Sequence, residues 1–284
     1  MRTRWMSIGC SAVALAALIS SGCAKMGASP APTATGSGDR AKPSVAPSAS
    51  ATPAPSIAKL PSLAGKIKAP SDKGAIVGWV VYQGTPPKPK AINFGAEQIC
   101  SSMHNGKPAY YETLIVNPNS TVKGTFVTIR GKVPGAYTPP SQPVVIDQVG
   151  CIFTPHVAAA IVGQEIEFRN SDPVSHNIRG TPVRNQAFNS VFASKIATKT
   201  KFDSPEIGMP LKCDIHFWMS AYIHVSQHPF FAVTGDDGSF VIPDVPPGDY
   251  TLLAWHETLK TQTQAITVKA GEVKEIEFMW PGSR

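Results

Sequence analysis

Lys212-Cys213-Asp214-Ile215-His216-Phe217-Trp218-Met219 gathers a thiol, an imidazole and a thioether into one short stretch, and Ser175-His176-Asn177 supplies a second imidazole upstream. Two His and a Cys near one plane, with Met on a long axial bond, form the donor set of a mononuclear copper centre that exchanges single electrons. Three donors in one loop and a fourth on a distant segment demand a particular kind of fold. A loop between two strands must be held against the end of another strand, so that the donor positions stay fixed. The spacing therefore predicts a β architecture and a metal at Cys213, His216, Met219 and His176.

Each residue also has a plainer reading when taken alone. Cys213 is then a buried structural thiol, His216 a satisfied core histidine and Met219 a core filler. Their joint spacing argues against coincidence. Zinc also takes Cys and His, but it has little use for a thioether. A Cys–His nucleophile would need an orienting acid and an oxyanion hole, and Asp214 faces the other way if the loop is extended. A complete donor set leaves no open position for substrate, so no enzymatic activity is expected.

The N-terminus carries Arg2 and Arg4, an apolar run from Met6 to Ile19, and then Ser20-Ser21-Gly22-Cys23. A short basic head and an apolar core too short to span a bilayer comfortably predict a signal peptide over 1–22. Cys23 after small residues resembles a bacterial lipobox and implies lipidation at that residue. Ser20 stands where such motifs usually carry an aliphatic residue, with Ile19 one place earlier; cleavage without an anchor is the alternative. The expected location is periplasmic or cell-surface, membrane-anchored through lipid.

Export into an oxidising compartment makes every remaining cysteine informative. Cys10 falls in the leader, leaving Cys100, Cys151 and Cys213. A Cys100–Cys151 disulfide with Cys213 given to a metal accounts for all three. Pairing Cys213 with either of the others would remove the thiolate; Cys213 alone has matched donors beside it.

The chain's formal charge of +7 lies in its N-terminal part. Arg2 and Arg4 contribute +2, and the excess of Lys and Arg over Asp39 and Asp72 between Ala24 and Lys73 contributes +5, so the remainder is neutral. A neutral folded region gives no electrostatic footprint for nucleic acid. Residues 23–73 are rich in Pro, Ser, Ala and Thr and lack aromatics. They predict a disordered tether with a typical span on the order of 40 Å.

From Gly74 onward short β-branched or alternating runs are broken by Gly and Pro clusters such as Gly84-Thr85-Pro86-Pro87. The expected fold class is all-β, and the length suggests two sandwiches. Thr234 to Phe240, followed by Pro246-Pro247-Gly248-Asp249-Tyr250, resembles the transthyretin-like or carboxypeptidase-regulatory-like sandwich. The opening strand of that family, Gly-x-Ile-x-Gly-x-Val, is found far upstream at Gly74 to Val80. One sandwich split in sequence is therefore expected over 74–135 and 229–284, with a second domain at 136–228 inserted in it or adjacent to it. The disulfide would staple the two.

The inserted segment resembles a cupredoxin, a Greek-key β-sandwich, and amicyanin in particular. It shares the Cys-x-x-His-x-x-Met spacing of Cys213, His216 and Met219, the His176-Asn177 pair, and Gly163 followed by Ile166 to Asn170. The resemblance implies one type 1 copper, with His176, Cys213 and His216 equatorial and Met219 axial. It also implies that Asn177 ties the ligand loops together through hydrogen bonds. The function so implied is that of an exported, lipid-anchored blue-copper protein passing single electrons to a cytochrome or dehydrogenase.

Bacterial proteins of methylamine-utilisation or plastocyanin-like type also share Pro155-His156-Val157, His228-Pro229-Phe230-Phe231 and Ala254-Trp255-His256-Glu257. None of His104, His156, His224, His228 and His256 is expected to bind metal. Phe217, Trp218 and Phe230 are expected to form an apolar collar, and Arg179, Arg184, Lys195, Lys199, Lys201 and Lys212 a basic rim against Asp203 and Glu206. The alternative function is copper storage or delivery, or a carbohydrate-binding module using Trp79, Trp255 or Trp280 as platforms.

Overall fold

The computed structural model describes residues 60–282, so the leader over 1–22, Cys23 and the tether up to residue 59 lie outside the described residues. In chain order a short 3-10 turn (Ala64–Lys66) precedes β1 (Gly74–Gln83), α1 (Gln98–Ser102), β2 (Ile115–Val116), β3 (Val122–Lys123) and β4 (Phe126–Ile129). Nine strands follow without a helix: β5 (Val144–Gln148), β6 (Phe153–Thr154), β7 (Val157–Ile161), β8 (Ile166–Asn170), β9 (His176–Gly180), β10 (Phe188–Phe192), β11 (Ala197–Thr200), β12 (Glu206–Lys212) and β13 (Ser220–Ser226). The chain closes with β14 (Phe231–Val233), β15 (Ser239–Val245), β16 (Gly248–His256), β17 (Lys260–Val268) and β18 (Val273–Pro281).

Two sandwiches result. In one, a sheet ordered β15-β1-β18 faces a sheet ordered β14-β4-β16-β17. Ile76, Val80, Phe240, Ile242, Leu252 and Phe278 fill the space between them. The strand that completes this sandwich, β1, comes from before the intervening nine, and it pairs parallel with β18 and antiparallel with β15. In the other sandwich, β10-β9-β12-β13-β7 faces β11-β8-β5-β6 over Ile146, Phe153, Ile166, Ile178, Leu211 and Ile223. Its last strand, β13, lies antiparallel to β12 and parallel to β7.

The almost uninterrupted apolar sequence of β1 has a direct cause: all but its last residue is buried. Strands covered on both faces lose the usual alternation. One face of β1 meets the sandwich core, while Val77, Trp79 and Val81 pack beneath Leu60, Leu63 and Ile67. This corrects the expectation of a disordered tether reaching residue 73. Residues 60–73 lie against β1, with the Leu63 N–H and Ser62 hydroxyl donating to Glu275 at 2.7 and 2.6 Å and Trp79 Nε1 donating to the Pro61 carbonyl at 3.2 Å. Buried apolar area and satisfied polar groups offset the ordering entropy here.

A second correction concerns residues 84–111, expected to belong to the split sandwich. Ile92, Phe94, Met103 and Tyr111 instead pack on the core of the other sandwich, and Cys100 is buried within it. The segment leaves one sandwich after β1, covers the other, and returns at β2.

The two sandwiches meet along a seam of rings. Phe126 of β4 stacks on His224 of β13 at a centroid distance of 4.0 Å, and Trp255 of β16 meets His224 edge-on at 4.7 Å and Tyr222 at 5.0 Å. His224 Nδ1 accepts the Gly208 N–H at 3.1 Å. Gly208 has a φ of +73°, and a Cβ there would lie 2.9 Å from the Trp255 ring, so both backbone and neighbour require glycine. His156 pairs with Glu257, and His228 Nε2 faces the Ile129 and Gly131 carbonyls at 3.0 and 3.1 Å. The three shared sequence strings thus occur at this seam. Trp79 and Trp280 are buried and Trp255 is packed in the seam, so these rings do not form the expected sugar platform.

Gly78 faces the core between Ile76 and Val80, where an added Cβ would approach the Ile276 carbonyl oxygen to 2.1 Å and the Phe240 ring to 2.9 Å. Gly78→Ala is expected to destabilise the protein by about 1–3 kcal/mol, measured as a lower midpoint of urea unfolding.

Burial pushes His224 down to about 3 and His256 down to about 4, so both are neutral in the folded protein near pH 7. An unfolded histidine takes its proton near pH 6.5, so below that pH the unfolded chain binds more protons. Stability is therefore expected to fall from about pH 6.5 towards 4, by up to about 1.4 kcal/mol per pH unit for each histidine. Urea unfolding across this range should show that limb. In His224→Phe it should be shallower by one proton, although the variant is less stable because the Gly208 N–H loses its acceptor.

Candidate metal centre

The strand order brings the three sequence segments of the candidate site to one end of the second sandwich. His176 is the first residue of β9, Cys213 follows the last residue of β12, and Met219 precedes the first residue of β13. Lys212 pairs with Ser220 across β12 and β13, and with Arg179 across β12 and β9. The ligand loop is therefore a connection between adjacent antiparallel strands, clamped beside the start of a third. Within it the Met219 N–H donates to the His216 carbonyl at 2.9 Å, and the His216 N–H approaches Cys213 Sγ at 3.3 Å.

The side chains converge. His176 Nδ1 and His216 Nδ1 stand 2.8 Å apart, and Cys213 Sγ lies 4.0 Å from His216 Nδ1. One nitrogen from each ring and the sulfur all fall within 4.8 Å of one another. His176 is fully buried, Cys213 and His216 are each 3% exposed, and Met219 is 1% exposed. Cys100 and Cys151 form a disulfide, and Cys213 is the free cysteine among the described residues.

Asn177 connects the two ligand segments through its side chain. Its Oδ1 accepts the N–H groups of Asp214 at 2.5 Å and Ile215 at 3.3 Å, and touches Cys213 Sγ at 3.3 Å. Its Nδ2 donates to Asn189 at 2.8 Å and Asp214 at 3.2 Å. Asp214, also bonded to Arg179 Nε at 2.8 Å, braces this network.

The electrostatics follow from this crowding. Burial would raise the Cys213 thiol, but hydrogen bonds from His176 and from the backbone around Asn177, His216 and Ile215 hold it below the ordinary thiol range. Burial would lower His176, but Asp172 and Cys213 raise it. His216 is lowered by burial and by its neighbour His176.

Two features had no signal in the sequence. Asp172, four residues before His176 in an Asp-Pro turn, is 2% exposed and places Oδ2 2.9 Å from His176 Nε2. The Cys100–Cys151 sulfurs come within 4.8 Å of a His216 ring nitrogen, and the Trp218 indole donates to the Cys151 carbonyl at 3.0 Å. Phe94 meets Trp218 edge-to-face at 5.3 Å, so the segment around α1 covers this end of the site.

The expected collar is corrected in two of its three members. Trp218 is buried under the disulfide segment, and Phe230 lies in the core of the other sandwich. Phe217 is 81% exposed and Ile215 48%, leaving these two as the apolar surface of the loop. The expected basic rim is partly neutralised, because Arg179 pairs with Asp214, and Lys199 and Lys201 with Glu165.

A carboxypeptidase regulatory-like domain matches residues 220–280, from β13 through most of β18. Cupredoxins are among the solved structures similar to this chain. A purple cupredoxin from Nitrosopumilus maritimus shares 22% identity over 29% of this chain and 99% of its own, with a TM-score of 0.26. A reduced amicyanin mutant shares 16% over 35% and 98%, with a TM-score of 0.28. The Cu-containing nitrite reductase of Thermus scotoductus SA-01 shares 25% over 33% of this chain, with a TM-score of 0.28, and this chain spans only 24% of that enzyme. No curated protein matches. The chemistry of the site therefore rests on its own geometry.

Asn177→Ala removes the side-chain ties to Asp214 and Ile215. It is expected to cost about 2–3 kcal/mol of stability and to speed amide exchange at those two residues, measured by denaturant unfolding and hydrogen exchange.

Proposed function

We propose that this protein is an exported type 1 copper protein that carries single electrons and has no catalytic turnover of its own. The observation that supports this reading is the convergence of His176 Nδ1, His216 Nδ1 and Cys213 Sγ in a core that excludes water. The donor set fits the group: a thiol held low, two imidazoles with Nδ1 turned inward, and a buried thioether in the same loop. His176, Cys213, His216 and Met219 would hold the ion. Copper bound there would supply a Cu(II)/Cu(I) couple.

The chain's own residues make such a couple easy to cycle. Asp172 faces His176 Nε2, which keeps the proton there and leaves the Nδ1 lone pair directed at the site. Asn177 fixes the loop that carries Cys213 relative to β9. Strand pairing on both sides of the ligand loop limits its rearrangement between oxidation states. Phe217 and Ile215 present an apolar surface beside it, suited to docking a cytochrome or dehydrogenase. Export and anchoring through Cys23 would place the carrier at a membrane, within reach of such partners.

One observation favours a second reading, copper storage or delivery. His216 is almost completely covered, with the disulfide and Trp218 against it. A storage site needs tight retention more than exposure.

Loading the purified protein with Cu(II) separates the two readings. An electron carrier is expected to show an intense visible thiolate-to-copper band at one ion per chain, abolished in Cys213→Ser. A tightly held but colourless metal would overturn the carrier reading in favour of storage or zinc.

A further inference from the structure

The carboxylate of Asp172 accepts the Gly150 N–H on Oδ1 at 2.6 Å and the Cys151 N–H on Oδ2 at 2.7 Å, and Oδ2 also lies 2.9 Å from His176 Nε2. Backbone N–H donors on both oxygens favour the ionised carboxylate over the acid. It is 2% exposed and the ring it touches is fully buried, so solvent screens the pair little. The turn that carries it is itself fixed. Asn170 Oδ1 accepts the Asp172 N–H at 3.0 Å while Asn170 Nδ2 donates to the Val174 carbonyl at 2.8 Å, and the Ser194 hydroxyl donates to the Asp172 carbonyl at 2.7 Å. Such investment in one side chain exceeds what capping the Gly150-Cys151 turn requires.

Resting on the copper reading above, we propose that Asp172 is a positioning and tuning residue of the metal centre. It fixes the ring orientation and Nε2–H tautomer of His176 and, as a buried negative charge behind that ligand, favours the more positive, oxidised state of the ion. The effect is a lower reduction potential than the same four donors would give alone. Because the same carboxylate holds the Cys151 N–H, it also ties the disulfide-bearing turn to the ligand it tunes. Partners matched to this carrier would be ones that accept electrons from a comparatively reducing copper site.

The experiment uses the full-length copper protein and its Asp172→Asn variant, compared by spectroelectrochemical titration of the visible band. Removing an outer partner of a metal-bound histidine typically changes metal affinity about 10–100-fold. If that change falls on the oxidised state, the midpoint rises by about 59 mV per tenfold change. Asp172→Glu, which keeps the charge, should recover part of the shift. A folded Asp172→Asn protein with a blue band and an unchanged midpoint would overturn the proposal, leaving Asp172 a cap for the turn. Nitrogen NMR of the wild-type Cu(I) protein supplies a check that needs no variant. It should show His176 with a slowly exchanging Nε2–H, and rapid exchange there would also overturn the proposal. If the wild-type protein takes up no copper, the underlying reading fails first, and this one with it.

Discussion

The bond between Cys100 and Cys151 divides the sulfur of this protein into two roles. By pairing those two it leaves Cys213 a free buried thiol beside two imidazoles. It also closes a loop of 51 residues, which in the chain-entropy view restricts the unfolded chain by on the order of 4 kcal/mol. The closed loop contains the departure from one sandwich and the entry into the other. The cross-link therefore sets where residues 84–111 lie, and they lie over the ligand loop.

Around that cross-link three polar side chains hold the site together. Asp172 and Asn170 use nearly all of their hydrogen-bonding capacity on backbone or ring partners, and Asn177 divides its own between backbone N–H groups and the side chains of Asn189 and Asp214. In a core this dry, an unpaired amide or carboxylate would cost about 1–3 kcal/mol or more, so these groups either fit or would have been replaced by apolar ones. The consequence is directional: Asn177 fixes the Cys213 side of the site and Asp172 the His176 side. Both act through backbone N–H groups of segments that carry a cysteine. The positions of the clustered side chains are thereby set by the protein's own hydrogen bonds.

Much of this was legible in the sequence, and what was not has physical reasons. The gathering of Cys213, His216 and Met219 could be read because it is local: three candidate donors in seven residues need no knowledge of topology. His176 could be read through the adjoining Asn177, and the split of the first sandwich through the opening strand at Gly74 to Val80. Asp172 could not, since an Asp before Pro is ordinary turn chemistry and its contact with Gly150 and Cys151 spans 22 and 21 residues. Residues 60–73 misled because composition reports whether a segment can fold alone. It says nothing of a neighbouring strand with an uncovered apolar face. Phe230 misled for a related reason: proximity in sequence to the ligand loop was mistaken for proximity in space, though β13 carries the chain the length of the sandwich and into the other core.

That crossing by β13 explains why the two sandwiches behave as one unit. The strand begins at the ligand loop, one residue after Met219, and ends two residues before His228, which faces carbonyl groups at the end of β4 and just beyond it. Along the way Tyr222 and His224 project into the seam against Trp255 and Phe126. A strand paired on both sides transmits displacement poorly along its hydrogen bonds but holds its register firmly. Any shift of the second sandwich against the first would have to unstack four rings and expose a buried neutral histidine. The first sandwich thus serves as a rigid mount, which fixes the orientation of the loop carrying Cys213, His216 and Met219 relative to residues 60–73.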